Sequence, residues 1–323
     1  MKRLIAEFES QKFTQIIFPH QETDWIEYID DAKANFVEII NAIRPYQKCR
    51  IVCADVADTK CYFESYENLE FVEYKGDDTW ARDCSALSIE EDGELKLLDF
   101  TFNGWGGKFD ASKDNAMSSF LDSDAIRCDF ILEGGGVESN GKDLILTTSE
   151  CMLNANRNNT LSKEQITQKL KNYFGTEHIL YLNNGYLAGD DTDSHIDTLV
   201  RFIDEKRVMF VECNDKEDEH YEALSKMKKE LEQLTQKHNL ELIALPMSNA
   251  IYYDDERLPA TYANFLFVNG AVIVPTYGVE SDTEALEVFR KTFKGRDVVS
   301  VDCSVLIRQH GSLHCVTMNF ATL

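Results

Sequence analysis

The 323 residues can bury one large core or two ordinary ones. With 43% hydrophobic and 28% charged residues they belong to the ordinary globular class. A formal charge of −24 excludes a nucleic-acid-binding surface and suits a cationic partner. The opening MKRLIAEFESQKF is not followed by an apolar leader, and no stretch approaches membrane-spanning length. A cytoplasmic chain that engages no membrane is therefore expected, and a homo-oligomer is left open. The nine cysteines are odd in number and lack CxxC or zinc-ribbon spacing, so free thiols are expected.

In chain order, TQIIF (14–18) reads as a strand and residues 24–43 as a helix, with Trp25, Ile29, Phe36, Ile40 and Ile43 along one side. CRIVCAD follows as a buried strand in which Cys49 and Cys53 behave as small hydrophobes. Four further units then open on hairpins. Their turns fall at Asp92-Gly93, Asn140-Gly141, Asp204 to Arg207 and Asn269-Gly270. Each hairpin leads to a helical stretch (113–123, 162–175, 217–238, 282–295) and then to an apolar strand: IRCDFIL, HILYL, LELIAL or DVVSVDC. Gly175 and Gly295 suit left-handed helix stops.

The pattern is ββαβ, and only the first unit lacks its opening strand. CVTMNF (315–320) supplies it if it pairs with TQIIF, closing five units into a ring with no exposed terminal edge. No linker interrupts the chain, so a single catalytic domain over 1–323 is expected.

Out-of-place polar residues cluster at the hairpin entries: Asp83 in GDDTWARD, Glu133 in FILEGGG, His195 and Asp197 in GDDTDSHIDTLVRF, and Cys315 in GSLHC. Singly, each has an ordinary structural reading as an ion pair, a turn cap, a strand-face pair or a small core residue. In a ring, equivalent positions converge on one end of the axis and form a common site. Adjacent strand residues face opposite ways, so His314 is expected to point away from Cys315, and His195 is the better partner. Three carboxylates raise a thiol's pKa unless the substrate is itself a cation. A planar guanidinium satisfies that condition: carboxylates can clamp its edges and leave its carbon open to the thiolate.

DTWARD, LEGGG, GDDTDSHIDTLVRF, LPATYANF, VIVPTYG and GSLHC resemble, in order, the blocks of the agmatine deiminase family of guanidino-group-modifying enzymes, relatives of the bacterial peptidylarginine deiminases. The resemblance implies a five-bladed α/β-propeller and a hydrolase acting on C–N bonds of linear amidines. It makes Cys315 the nucleophile, His195 the acid and base, Asp83 and Asp197 the guanidinium clamps, and Glu133 a guanidinium contact that also orients His195. Agmatine would yield N-carbamoylputrescine and ammonia, on the route to putrescine and the polyamines, with no metal or organic cofactor. Cys84-Ser85 departs from the Gly-Pro that many relatives carry after WARD, which bears on the pocket beside Asp83.

For the rest of the substrate, Trp80 is expected to wall the guanidinium pocket and Trp105, in the glycine-rich FNGWGGKF, to cover the aliphatic chain. Asp190 or Asp193 is expected to receive the far amine. The rival readings are a peptidylarginine deiminase, an amidinotransferase, or a non-catalytic cation or metal binder built on DDTDSHID. That stretch lacks the central glycine and terminal glutamate of an EF-hand loop.

Overall fold

The computed structural model describes residues 2–323. Five mixed sheets share one connection: an antiparallel pair, a helix, and a third strand parallel to the second. Leu87–Glu91, Glu94–Thr101 and Ile126–Ile131 form one such set, and Glu138–Ser139, Leu144–Thr148 and His178–Leu182 a second. Val200–Phe202, Arg207–Glu212 and Glu241–Pro246 make a third, and Leu266–Val268, Ala271–Thr276 and Asp297–Asp302 a fourth. In the fifth, the C-terminal strand Thr317–Ala321 runs antiparallel to Gln11–Ile17, which runs parallel to Lys48–Cys53. The last strand of the chain is therefore held by one of the first, as the spacing of CVTMNF and TQIIF predicts.

The connecting helices bury the apolar sides their periodicity marks. Helix Ile29–Ile43 hides Phe36, Ile39, Ile40 and Ile43, and helix Lys163–Phe174 hides Ile166, Leu170 and Phe174. The second helix starts on a Ser162/Gln165 capping box and stops at Gly175 with φ 60°. Gly295 does not play that part, because helix Ser281–Thr292 ends earlier and Phe293 takes the C-cap with φ −103°. Three features are absent from the repeat: strand Lys2–Leu4 on the edge of the Leu87–Glu91 sheet, strand Leu69–Glu73 beside Lys48–Cys53, and the ribbon Tyr252–Tyr253 with Glu256–Arg257. All nine cysteines are free, and no helix among the described residues is long and apolar enough to cross a membrane.

Candidate active site

Each predicted residue is delivered by an irregular segment just ahead of a sheet. Asp83 sits in the single turn Ala81–Cys84, and Glu133 immediately precedes the 3-10 turn Gly134–Gly136. The ordinary reading of His195 and Asp197 as alternating on one strand face does not hold; His195 caps the 3-10 helix Ile196–Thr198 that carries Asp197. Cys315 and His314 likewise occupy a turn, with the strand beginning at Thr317.

These segments meet. His195 Nδ1 lies 3.6 Å from Asp83 Oδ1, and its Nε2 lies 4.0 Å from Glu133 Oε2. Gly135 makes the approach possible: a Cβ there would lie 2.7 Å from His195 Nδ1, 3.0 Å from Asp83 Oδ1 and 3.1 Å from Asp197 Oδ2. Its N–H also donates to Asp83 Oδ1 at 2.9 Å. Asn264 ties in the thiol. Its Oδ1 lies 3.4 Å from Cys315 Sγ and accepts the His314 and Cys315 N–H groups, while its Nδ2 donates to Asp197 Oδ2 at 3.3 Å.

A cavity of about 220 Å³ opens onto Cys315 and Asp83. Trp80 and Trp105 line it, with Asp24, Asp78 and Asp191 adding negative charge. His195, Asp197 and Glu133 are not in this lining; His195 lies against Asp83, which is. Trp105 has a second part: its Nε1–H donates to Asp83 Oδ2 at 2.9 Å. Trp80 donates to Asp78 Oδ2 at 3.0 Å and packs so closely on Gly311 that a Cβ there would sit 2.0 Å from its ring.

Two expectations need correction. Asp190 does not line the cavity; its carboxylate accepts the Thr192 and Ser194 N–H groups and the Thr192 hydroxyl, and so shapes its own loop, while Asp191 faces the cavity. Asp193 is likewise occupied by Arg157 and Lys108. Glu133 is held by Arg157, whose Nε meets both its oxygens at 2.9 Å. Arg157 also bonds Asp193 and the Thr192 carbonyl, joining Glu133 to the His195 loop.

Burial and neighbouring charges set the electrostatics of the site. Burial, then Asp197 and Asp83, push the Cys315 thiol well above its ordinary value. Burial also raises the Asp83 carboxyl, with Asp197 adding to the rise. Burial alone would lower His195, but Asp83, Cys151 and Glu133 together hold it well above 6.5. Asp197 goes the other way: burial would raise it, and His314 holds it below the usual carboxylate range. His195 Nε2 and Asp197 Oδ1 are buried without a hydrogen-bond partner. A buried polar atom without a partner costs about 1–3 kcal/mol.

A family model described as Porphyromonas-type peptidyl-arginine deiminase matches residues 3–320. The chain belongs to that family. A "Putative agmatine deiminase" of Marinomonas sp. (strain MWYL1) is 31% identical over 98% of this chain and 93% of its own length. One from Legionella pneumophila (strain Philadelphia 1) is 32% identical over 92% of this chain and 88% of its own. Among solved structures, a cysteine-to-serine C. jejuni agmatine deiminase with substrate bound superposes with a TM-score of 0.96 at 41% identity, covering 100% of this chain and 97% of that one. The agmatine deiminase of Enterococcus faecalis gives 0.93 at 27% identity, over 99% and 96%. A dimethylarginine dimethylaminohydrolase, 12% identical with a TM-score of 0.53, shares the fold alone.

Within this member of the family, Cys84-Ser85 is accommodated locally. The Ser85 N–H donates to the Ala81 carbonyl at 3.2 Å, which a proline could not do, and the Ser85 hydroxyl accepts from Gln15 at 3.0 Å. Glu133, Cys151 and His195 offer possible metal-ligating atoms within 4.8 Å of one another. The Arg157 guanidinium already neutralises that glutamate. In DDTDSHID, loop bonds, Arg157, Lys108 and His314 occupy Asp190, Asp193 and Asp197, so no convergent oxygen cage forms.

Proposed function

We propose that this chain, a hydrolase acting on the C–N bonds of linear amidines, is an agmatine deiminase working through a covalent amidino-thioether on Cys315. One observation carries the substrate choice: the small cavity containing the thiol is lined by Asp24, Asp78, Asp83 and Asp191 and by no arginine. Such a lining favours a substrate cationic at both ends and holds no arginine fork for an α-carboxylate; His310, also in the lining, engages the Gly189 carbonyl through Nδ1. Lys108 stands at the edge but is engaged by Asp193 and the Asp191 carbonyl.

The guanidinium lies between Asp83 and Asp197, and its charge offsets the two carboxylates that hold the Cys315 proton in place. With that charge in place the Cys315 thiol releases its proton to solvent, where the departing ammonia later takes it up as ammonium, and the thiolate forms a bond to the guanidinium carbon. His195 gives its proton to one terminal nitrogen, the C–N bond breaks, and ammonia leaves. The amidino-thioether remains on sulfur. Neutral His195 then takes a proton from water as oxygen attacks the same carbon, and collapse breaks the C–S bond to give N-carbamoylputrescine and the free thiol. Glu133, paired with Arg157, orients the imidazole. Asp191, in place of Asp190, stands nearer the far amine.

We read the five sheets as the blades of a five-bladed α/β-propeller and residues 1–323 as one catalytic domain, acting in the cytoplasm on the route to putrescine. Ammonia release from agmatine, free arginine and a peptide with C-terminal arginine tests the substrate choice. Agmatine is expected to turn over at least tenfold faster than either. Rapid turnover of the peptide alone would make the chain a peptidylarginine deiminase, and transfer of the amidino group to an added amine with release of the alkylamine in place of ammonia would make it an amidinotransferase.

A further inference from the structure

His314 adjoins Cys315 but turns its ring away from the thiol. Its Nδ1 lies 2.7 Å from Asp197 Oδ2 and its Nε2 lies 2.6 Å from Glu7 Oε2, so both ring nitrogens are placed to donate to carboxylates. Glu7 follows the strand Lys2–Leu4, and its side chain is only 9% exposed. Arg201 Nη2 donates to Glu7 Oε2 at 2.6 Å, the Phe267 N–H donates to Oε1 at 3.2 Å, and Arg82 Nη1 stands 3.8 Å away. Arg201 is fully buried and bonds Glu138 and the carbonyls of Ala263 and Phe265. A cavity of about 60 Å³, lined in part by Glu7, Arg82, Glu138 and His314, lies beside this column of charges.

We propose that Glu7 and His314 are positioning residues for the guanidinium clamp. Glu7, fixed by Arg201, holds His314 with both ring N–H groups donating, and His314 occupies Asp197 Oδ2, leaving Oδ1 for substrate. The inference rests on reading Asp197 as a clamp. Its support is geometric: the chain Arg201–Glu7–His314–Asp197 ends in a carboxylate with one oxygen bonded and the other unpartnered. The acidities agree. Burial would raise both carboxyls, yet Arg201 and His314 hold Glu7 well below the usual range, and His314 leads the groups lowering Asp197. The other charged or titratable groups around Asp197 are His195, Arg82, Arg201, Asp83 and Cys315, and those around Glu7 are Arg82, Arg201 and Glu138.

Glu7→Gln keeps the shape and removes the charge. His314→Asn can still reach Asp197 in place of Nδ1, whereas His314→Gln mimics the other nitrogen. Because Asp197 must be ionised to bind, Glu7→Gln and His314→Gln should shift the acid limb of the kcat/KM profile upward by about one pH unit, raising KM more than they lower kcat. His314→Asn should retain more activity than His314→Gln. A uniform loss at every pH, or indistinguishable Asn and Gln variants, would overturn the proposal. NMR of the His314 ring in the substrate-free protein provides a readout independent of turnover: two slowly exchanging N–H protons are expected, one of them lost in Glu7→Gln. A single ring N–H in the unsubstituted protein overturns the inference. Two protons without agmatine turnover would leave it standing while the functional reading falls.

Discussion

Gly134 and Gly135 stand side by side, and their substitutions should fail differently. A Cβ on Gly134 meets the Arg82 carbonyl at 2.2 Å, a backbone clash that the fold must absorb. A Cβ on Gly135 meets His195 Nδ1 at 2.7 Å, together with the Asp83 and Asp197 carboxylates. Gly134→Ala is expected to lower stability by about 1–3 kcal/mol. Gly135→Ala should keep more of the stability and lose about a hundredfold in kcat, because small displacements of aligned groups are costly to catalysis. Thermal melts beside steady-state rates check both, and equal losses in both assays would contradict the distinction. Cys315→Ser should cut turnover by about four orders of magnitude or more while agmatine still binds at equilibrium, since the serine hydroxyl is a far weaker nucleophile. Substantial turnover by that variant would rule out the covalent route.

At the scale of elements, the Gly104–Gly107 turn shows what sequence can and cannot convey. Its glycines mark a tight turn, but the non-glycine among them, Trp105, also adopts φ 54° and ψ 47°. That conformation costs an L-residue about 1–2 kcal/mol, and the bond from Nε1 to Asp83, with edge contacts to Phe102 and Trp80, offsets it. Trp105→Phe keeps most of the packing and removes a donor that opposes the rise in the Asp83 pKa. KM for agmatine is expected to rise about tenfold, with a smaller effect on kcat; an unchanged KM would reduce Trp105 to a wall. The repeat made Asp83, Glu133, His195, Asp197 and Cys315 legible, because each stands at an equivalent entry to a sheet. Asn264 also stands at such an entry, in LPATYANF ahead of Leu266–Val268, but an amide there carries no charge to mark it. Arg157 and Glu7 occupy no repeated position, and their partners lie 24 and 307 residues away in the chain. The polar-apolar alternation of SHID fits a strand and a 3-10 turn alike, which is why the local conformation was not legible there. His314 points away from the thiol as expected, but its bond to Asp197 makes it more than a bystander.

For the whole molecule, the excess of negative charge has a thermodynamic consequence near the cavity. Burial, with Asp24 and Asp114 adding to it, pushes the Asp78 carboxyl up to about 7. Burial and Asp77 do the same for Asp114, which also reaches about 7 against the opposing backbone N–H bonds of Asp77 and Asp78. An unfolded aspartate releases its proton near pH 4, whereas these folded ones keep theirs until about 7. Between those limits the native state binds more protons, so their contribution to stability is full below pH 4 and is lost as pH rises through 7. Glu7 and Asp197, with depressed pKa values, contribute in the opposite sense; their stabilisation is present above the unfolded value and fails as pH falls below it. The two sets together place maximum stability on the mildly acid side of neutrality. Denaturant titrations should show unfolding free energy falling from pH 5.5 to pH 8, and Asp114→Asn should remove on the order of 2 kcal/mol of that fall. Agmatine should stabilise most at pH 8, where the cavity carboxylates are ionised and a dication relieves their repulsion. A stability that rises steadily to pH 8, or a slope unchanged in Asp114→Asn, would show that these buried acids ionise without cost.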